Sequence, residues 1–177
     1  MIQPERIRFL NEQPERPERP YVVYWMQNAQ RTFCNHALEY AIREANRLDK
    51  PVLVFFGLTG DFPEANARHY TFLLEGLRDV ERELEERGIR FLLRLAPPDQ
   101  GALDLCPLTA LLVTDRGYLR VQRRWRETVA RGADCAFVQV ETDAVVPVET
   151  VSNKEEYAAA TLRPKLRRLL WTYDHPL

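Results

Sequence analysis

Tyr21-Val22-Val23-Tyr24-Trp25-Met26-Gln27-Asn28-Ala29-Gln30-Arg31-Thr32-Phe33-Cys34-Asn35-His36-Ala37-Leu38 is the stretch on which the fold turns. Its first six residues are apolar, β-branched or aromatic, the pattern of a strand buried on both faces as central parallel strands are. A polar turn follows. Asn35 is placed to accept a bond from an orphan backbone N–H and so to cap a helix, along which Leu38, Ala41, Ile42 and Ala45 recur at helical spacing. This is the first β-turn-α unit of a doubly wound sheet. Ligands of such sheets gather beyond the carboxyl ends of the strands, where strand order reverses, so Gln27 to Asn35 are expected to line a crevice.

Four more apolar runs extend the pattern: Val52–Leu58, Ile89–Leu95, Leu108–Asp115 and Cys135–Val140. Helical stretches separate them. A long amphipathic segment from about Ala65 to Arg87 buries Tyr70, Leu73, Leu74, Leu77, Val80 and Leu84, and Gly88 stands at the favoured residue just past its end. A short helix is expected near Ala102 to Cys106, and another from Leu119 to Arg131 with Val121, Trp125 and Val129 on one side. Arg90 and Arg94 in the third run suggest an edge strand. Strands alternating with helices give an α/β, Rossmann-like three-layer sandwich, whose five-stranded parallel sheet is expected in the order 3-2-1-4-5. Residues 1–20 hold a short helical possibility, Glu5 to Leu10, and then a proline-rich run. They read as a flexible arm whose apolar triplet docks on a neighbouring surface. Ser152 and Glu155 form a capping-box pattern that opens a last helix.

At 177 residues the chain builds one substantial core rather than two. A net charge of −1 gives the whole molecule no long-range attraction for phosphate backbones, so any nucleic-acid contact is local. The three cysteines, Cys34, Cys106 and Cys135, lack metal-ligand spacing and are odd in number, which points to a reducing compartment and away from a disulfide framework or structural zinc. With no apolar signal segment either, the expected location is the cytoplasm. Neither GxGxxG nor GxxxxGK[ST] follows any strand, against a nicotinamide dehydrogenase or a P-loop NTPase. His36, His69 and His175 are too scattered for a metal site and read as structural or solvated.

Asp115, Glu141 and Asp143 fall at the carboxyl ends of strands four and five, beside Gln27 and Arg31. With Trp25, Met26 and Phe56 as apolar walls they outline a pocket that orients a small heteroaromatic ligand by a few hydrogen bonds. Spacing alone leaves open a plainer reading, in which Asp115 starts a turn and Arg31 pairs with a carboxylate. Arg116, Arg120, Arg123, Arg124, Arg126 and Arg131 make one helix strongly basic and read as a solvated face balanced by Glu127 and the acidic second helix. Arg163, Lys165, Arg167 and Arg168 form a second basic cluster.

Two stretches carry more than periodicity. Val22 to Arg31 with Asn35-His36-Ala37-Leu38 resembles the amino-terminal signature of the photolyase and cryptochrome family. Val145-Val146-Pro147-Val148, then Ser152-x-Lys154-x-Glu156-Tyr157 and Thr161-Leu162-Arg163-Pro164-Lys165, is similar to the class II cyclobutane pyrimidine dimer photolyases in particular. Phe62 to Tyr70 and Val113 to Arg120 fit as well, so the resemblance runs from about Ile7 to Leu170. It departs at Asn28-Ala29, where the family pattern has Arg-Asp, and at Ala160, where it has arginine.

The resemblance implies an amino-terminal α/β domain of a DNA photolyase, a carbon–carbon lyase that repairs pyrimidine dimers with light. In that family this domain holds an antenna chromophore, often a deazaflavin, while FAD and the groove for damaged DNA belong to a helical domain that follows. The expected organisation is an arm (1–20), an antenna domain (21–150), and a last helix with the start of a linker (151–177), without the FAD domain. The chain is then expected to bind a deazaflavin, to have no catalytic or metal residues, and not to repair DNA alone. Trp25, Met26, Gln27, Arg31, Phe56 and Asp115 are the expected chromophore contacts, from sheet topology and resemblance together. Two other readings remain open: an interaction module that docks or self-associates through a sheet edge or Leu166, Leu169, Leu170 and Trp171, and a nucleotide-binding α/β protein.

Overall fold

The computed structural model describes residues 2–174, so His175 and the expected boundary at Leu177 lie outside the described residues. In chain order the elements are β1 (Ile7–Phe9), β2 (Tyr21–Trp25), α1 (His36–Leu48), β3 (Val52–Leu58), α2 (Ala67–Glu86), β4 (Arg90–Leu95), α3 (Pro98–Leu105), β5 (Thr109–Asp115), α4 (Arg120–Gly132), β6 (Phe137–Val140), α5 (Val148–Val151) and α6 (Ala159–Tyr173). They form one sheet in the order β1-β6-β5-β2-β3-β4. Its five parallel strands follow the expected order, with Val22 beside Val52 on one side of β2 and Leu111 on the other.

The sixth strand is a correction to the sequence reading. Residues 7–9 pair antiparallel with β6, Ile7 opposite Val140 and Phe9 opposite Val138. The proline-rich segment that follows is pinned too. Leu10 N–H donates to Phe137 O at 2.8 Å, Arg16 N–H to Ala110 O at 2.9 Å, and Ala136 N–H to Pro14 O at 2.9 Å. Prolines exclude a central strand but not an edge, where missing donors face outward. Arg6 anchors the arm. Only 2% exposed, it donates to the carbonyls of Glu141 (3.2 Å), Ala144 (2.8 Å) and Val145 (2.5 Å) and lies 5.8 Å from the Tyr173 ring centre. One buried guanidinium thus ties the start of the chain to the loop after β6 and to the end of α6.

Strand alternation divides the core into two layers. Val22, Tyr24 and Met26 face α1 and α2, packing with Leu38, Ala41, Leu77 and Leu84. Val23 and Trp25 face α3 and α4, with Phe55, Leu105, Val129 and Phe137. Each of these side chains of β2, and Met26 just after it, is at most 1% exposed, so each contributes about 1.5–3 kcal/mol by burial. At Gly57 the opening of α3 comes so close that an added Cβ would stand 2.6 Å from Pro98 Cα. Only glycine lets α3 seat there.

Helix ends follow their local chemistry. Asn35 Oδ1 accepts from Leu38 N–H at 3.0 Å, as a cap should. Gly88, at φ +70°, takes the left-handed turn after α2. The expected helix start at Ser152 does not form. Residues 152–158 are irregular and α6 begins at Ala159, because Ser152 Oγ instead donates to Glu156 Oε1 (2.7 Å) and Lys165 Nζ reaches both residues. Within α2, Leu74 turns outward at 40% exposure. Among the described residues no helix is long and apolar enough to cross a membrane.

Candidate functional site

A cleft of about 280 Å³ opens beyond the carboxyl ends of β2 and β3. Strand direction dictates its floor: Trp25, Met26 and Gln27 leave β2, while Phe56, Gly57 and Leu58 end β3. Its walls come from Phe62 in the loop after β3, from His69, Tyr70 and Leu73 on α2, from Pro98, and from Leu119, Gln122 and Trp125 at the start of α4. Phe62 and Trp125 meet with ring centres 6.3 Å apart and planes tilted by 57°. The surface offered is therefore mainly apolar, with Trp25, Phe56, Phe62, Tyr70 and Trp125 as its aromatic part.

Polar groups of Asn28, Gln30, Thr59, Tyr70 and Gln122 interrupt that apolar lining, and two buried donors stand out among the lining residues. Trp25 Nε1 and Gln27 Nε2 belong to lining residues, are fully buried, and have no hydrogen-bond partner among the described residues. Buried donors almost always find acceptors, and leaving one unpaired costs about 1–3 kcal/mol. Both are hydrogen-bond donors, which an acceptor such as a ring nitrogen or a carbonyl would satisfy. The volume sits at the small end of small-molecule sites, roughly 300–1,000 Å³, and suits a single fused-ring system better than a dinucleotide.

Asp115 holds the rim without lining the cleft. Fully buried at the end of β5, its Oδ1 accepts from Gln27 N–H (2.7 Å) and Tyr24 O–H (3.2 Å), and its Oδ2 from the N–H groups of Asn28 (2.6 Å) and Ala29 (2.9 Å). Every acceptor position is used. Burial pushes its carboxyl above the usual range while the three backbone donors pull back. Burial also raises Tyr24, with the Asp115 charge adding to it. Asp115 therefore fixes the backbone of the turn that presents Gln27.

Arg31 also lies outside the lining. Its Nη1 donates to Asp143 Oδ1 at 2.8 Å and its Nη2 to Cys34 O at 3.2 Å. Asn28, standing where the photolyase pattern has arginine, joins the same carboxylate through Nδ2 and accepts from Gln122 Nε2 at 3.2 Å. The turn keeps its tie to Asp143 without the family's charge pair. Glu141, 2% exposed, accepts from Arg116 Nη1 and Tyr118 O–H, both at 2.8 Å, and from Val148 N–H at 2.7 Å. It fastens the loop after β5 to α5.

Of the six expected contacts, then, the structure brings Trp25, Met26, Gln27 and Phe56 together in the cleft and puts Arg31 and Asp115 behind its rim. Sequence reasoning missed Phe62, Tyr70, Gln122 and Trp125 as walls. The available signal was an aromatic residue soon after each of two strand ends on the ligand side. His69 lines the cleft but its Nδ1 accepts the Asn66 N–H at 3.1 Å, closing a capping box at the start of α2. His36 begins α1 with Nδ1 buried and unpartnered among the described residues, and burial depresses it to about 4. The fold also brings Cys106, Asp134 and Cys135 within 4.8 Å of one another, but both Asp134 oxygens are held by Arg19 at 2.7 Å.

The class this fold defines is a Rossmann-like α/β domain with a cleft at its strand ends. The chain belongs to the DNA photolyase family, whose model matches residues 22–177. It is 50% identical to a deoxyribodipyrimidine photo-lyase of Methanothermobacter thermautotrophicus over all of this chain and 40% of that protein. Two further deoxyribodipyrimidine photo-lyases are similar. That of Arabidopsis thaliana is 37% identical over 97% of this chain and 36% of its own length, and that of Potorous tridactylus is 36% identical over 81% and 28%. The chain thus spans well under half of the curated relatives it matches.

Proposed function

We propose that this chain is the light-harvesting α/β part of a DNA photolyase and that its cleft holds a planar antenna chromophore of the deazaflavin class. The observation that carries this reading is the pairing of an aromatic enclosure with two buried, unpaired donors, Trp25 Nε1 and Gln27 Nε2, at the end of the first parallel strand. When bound, a deazaflavin would supply light absorption. The residues of the chain bind and orient it: Phe56, Phe62 and Trp125 enclose a ring system, Trp25 and Gln27 offer donors to its acceptor edge, and Asp115 keeps Gln27 in place. Leu58, Leu73 and Pro98 keep water from the same space. Repair itself falls to an FAD-binding helical partner of the kind the family pattern places after this domain. We place this work in the cytoplasm, which the odd cysteine number supports.

The test is an absorption and fluorescence titration of the purified chain with a deazaflavin and, in parallel, with FAD. A saturable spectral shift with the deazaflavin, and none with FAD, is expected. Gln27→Leu should weaken deazaflavin binding by roughly tenfold, the worth of about one well-made hydrogen bond. Absence of any shift with the deazaflavin would overturn the assignment.

A second reading draws on α6. Trp171 is 81% exposed, Leu170 41%, and Tyr157 just before the helix 91%, an apolar surface of the kind that marks an interface. It complements the first reading, as the face by which this domain meets its partner. Self-association that is abolished by Trp171→Ser would support it, and a monomer at all concentrations would count against it.

A further inference from the structure

A second groove, of about 430 Å³, lies on the other flank of α4, between that helix and the β6–β1 edge. The basic face of α4 is not simply solvated, as its sequence suggests. Arg126 is 7% exposed and lines this groove together with Arg8, Arg116 and Arg123. A buried guanidinium ordinarily spends its five N–H groups on carboxylates or carbonyls. Among the described residues Arg126 makes one bond, Nη1 to Gln27 Oε1 at a long 3.3 Å. Asp115 favours its charge, but Arg116 and Arg123 oppose it, and burial lowers it to about 10.

A second side chain in the groove is equally unspent. Gln139 on β6 is 5% exposed, lines the same space, and makes no side-chain hydrogen bond among the described residues. The acids present do not neutralise the site. Glu149 is taken by Arg116 at 2.8 Å and by Arg8 at 3.6 Å, while Glu127 sits exposed at the edge of the groove. Arg123 and Arg126 have no carboxylate partner among the described residues. Leu10, Tyr118 and Ala130 add apolar wall.

From this convergence we infer that the groove binds the phosphate group of a small phosphorylated molecule, held by Arg126 and Arg123 with Gln139 donating from the sheet. Guanidinium groups match phosphate oxygens in fork geometry, and partial burial strengthens such bonds. The groove exceeds the size of a bare phosphate and leaves room beside Leu10 and Ala130 for a small organic part. The groove lies on the opposite flank of α4 from the chromophore cleft, linked to it by the Arg126–Gln27 bond, and Arg123 and Gln139 line the groove and not the cleft.

Isothermal titration of the whole chain with inorganic phosphate and with pyrophosphate, at constant ionic strength, tests it. Saturable binding of pyrophosphate with a dissociation constant of about 1 mM or below is expected, with phosphate weaker. Arg126→Gln should weaken it by roughly tenfold or more, and Arg123→Ala, at an exposed site where folding is not at stake, by at least about threefold. Glu127→Gln should tighten it, since that removes the one unneutralised acid. Arg124→Ala removes the same charge from α4 outside the groove and should change affinity by less than about twofold. No saturable binding, or an equal loss in the Arg124 and Arg123 variants, would overturn the inference, the latter because it signals diffuse attraction to a basic helix.

Discussion

Replacing Asp115 by asparagine preserves the shape of the side chain and reverses the hydrogen-bonding sense of one of its ends. Four donors converge on the carboxylate, three of them backbone N–H groups at 2.6–2.9 Å. With the new amide nitrogen at the Oδ2 position, the N–H groups of Asn28 and Ala29 both face a donor. With it at Oδ1, Gln27 N–H alone is left, because the Tyr24 hydroxyl can turn to accept. The second arrangement is the cheaper one and still strands one buried N–H, at about 1–3 kcal/mol. The remaining bonds lose their charge assistance, a further cost of about 1 kcal/mol, and Arg126 loses the carboxylate that favours its charge. Relief of the cost of burying the Asp115 charge offsets part of this. The net expectation is a loss of about 1–3 kcal/mol, read as a lower urea midpoint at unchanged slope. Faster amide exchange confined to residues 27–29 should accompany it, and deazaflavin affinity should fall because Gln27 is no longer held. A loss below about 1 kcal/mol, with the turn still protected, would refute the claim that Asp115 organises the rim.

Three further outcomes follow from other contacts. His36 titrates near 4 in the folded chain and near 6.5 when unfolded, so the unfolded state takes up the proton first. Stability should therefore fall by about 1–3 kcal/mol as pH drops from about 6.5 to 4, and His36→Gln should flatten that slope in urea titrations run against pH. Arg6→Ala takes the donor from the Glu141, Ala144 and Val145 carbonyls, the first of them buried, and should cost about 2–4 kcal/mol, with protease nicking of the arm and of α6 rising together; cleavage of one without the other would contradict its role as their common anchor. Gly57→Ala drives a Cβ against the backbone of Pro98 and should cost about 1–3 kcal/mol while narrowing the cleft. Gly60→Ala, with open space around it, should be near neutral when the two variants are compared by thermal melting.

What could be read in advance was whatever the chain encodes locally. The unbroken run from Tyr21 to Met26 announces a doubly buried strand, Asn35 announces its helix, and the charged third run announces the edge that β4 occupies. Residues 7–9 could not be read this way. Three residues show no period, and their partner β6 lies more than a hundred residues on. The Ser152 pattern misled for the opposite reason, since a good local cap signature lost its serine to Glu156 and Lys165. At the site, topology correctly directs attention to the ends of the strands but says nothing of where a carboxylate aims. Asp115 is at the expected strand end with both oxygens turned to the backbone. Trp125 shares a helical face with the core residue Val129 and packs against that layer, so only the position of the start of α4 beside the cleft reveals its second role as a wall. The buried state of Arg126 was equally hidden, as six arginines in one helix region look solvated until one of them is packed against the sheet.

The most direct test of the chromophore cleft uses the chain's three tryptophans. Trp25 and Trp125 line the cleft, while Trp171 is exposed on α6. In a ¹⁵N-labelled sample the three indole N–H signals can be followed as a deazaflavin is added. The account predicts a large, saturable shift of the Trp25 signal as its free N–H gains an acceptor, a ring-current shift of Trp125, and a Trp171 signal that stays in place. Unmoved Trp25 and Trp125 signals, or a shift confined to Trp171, would contradict it.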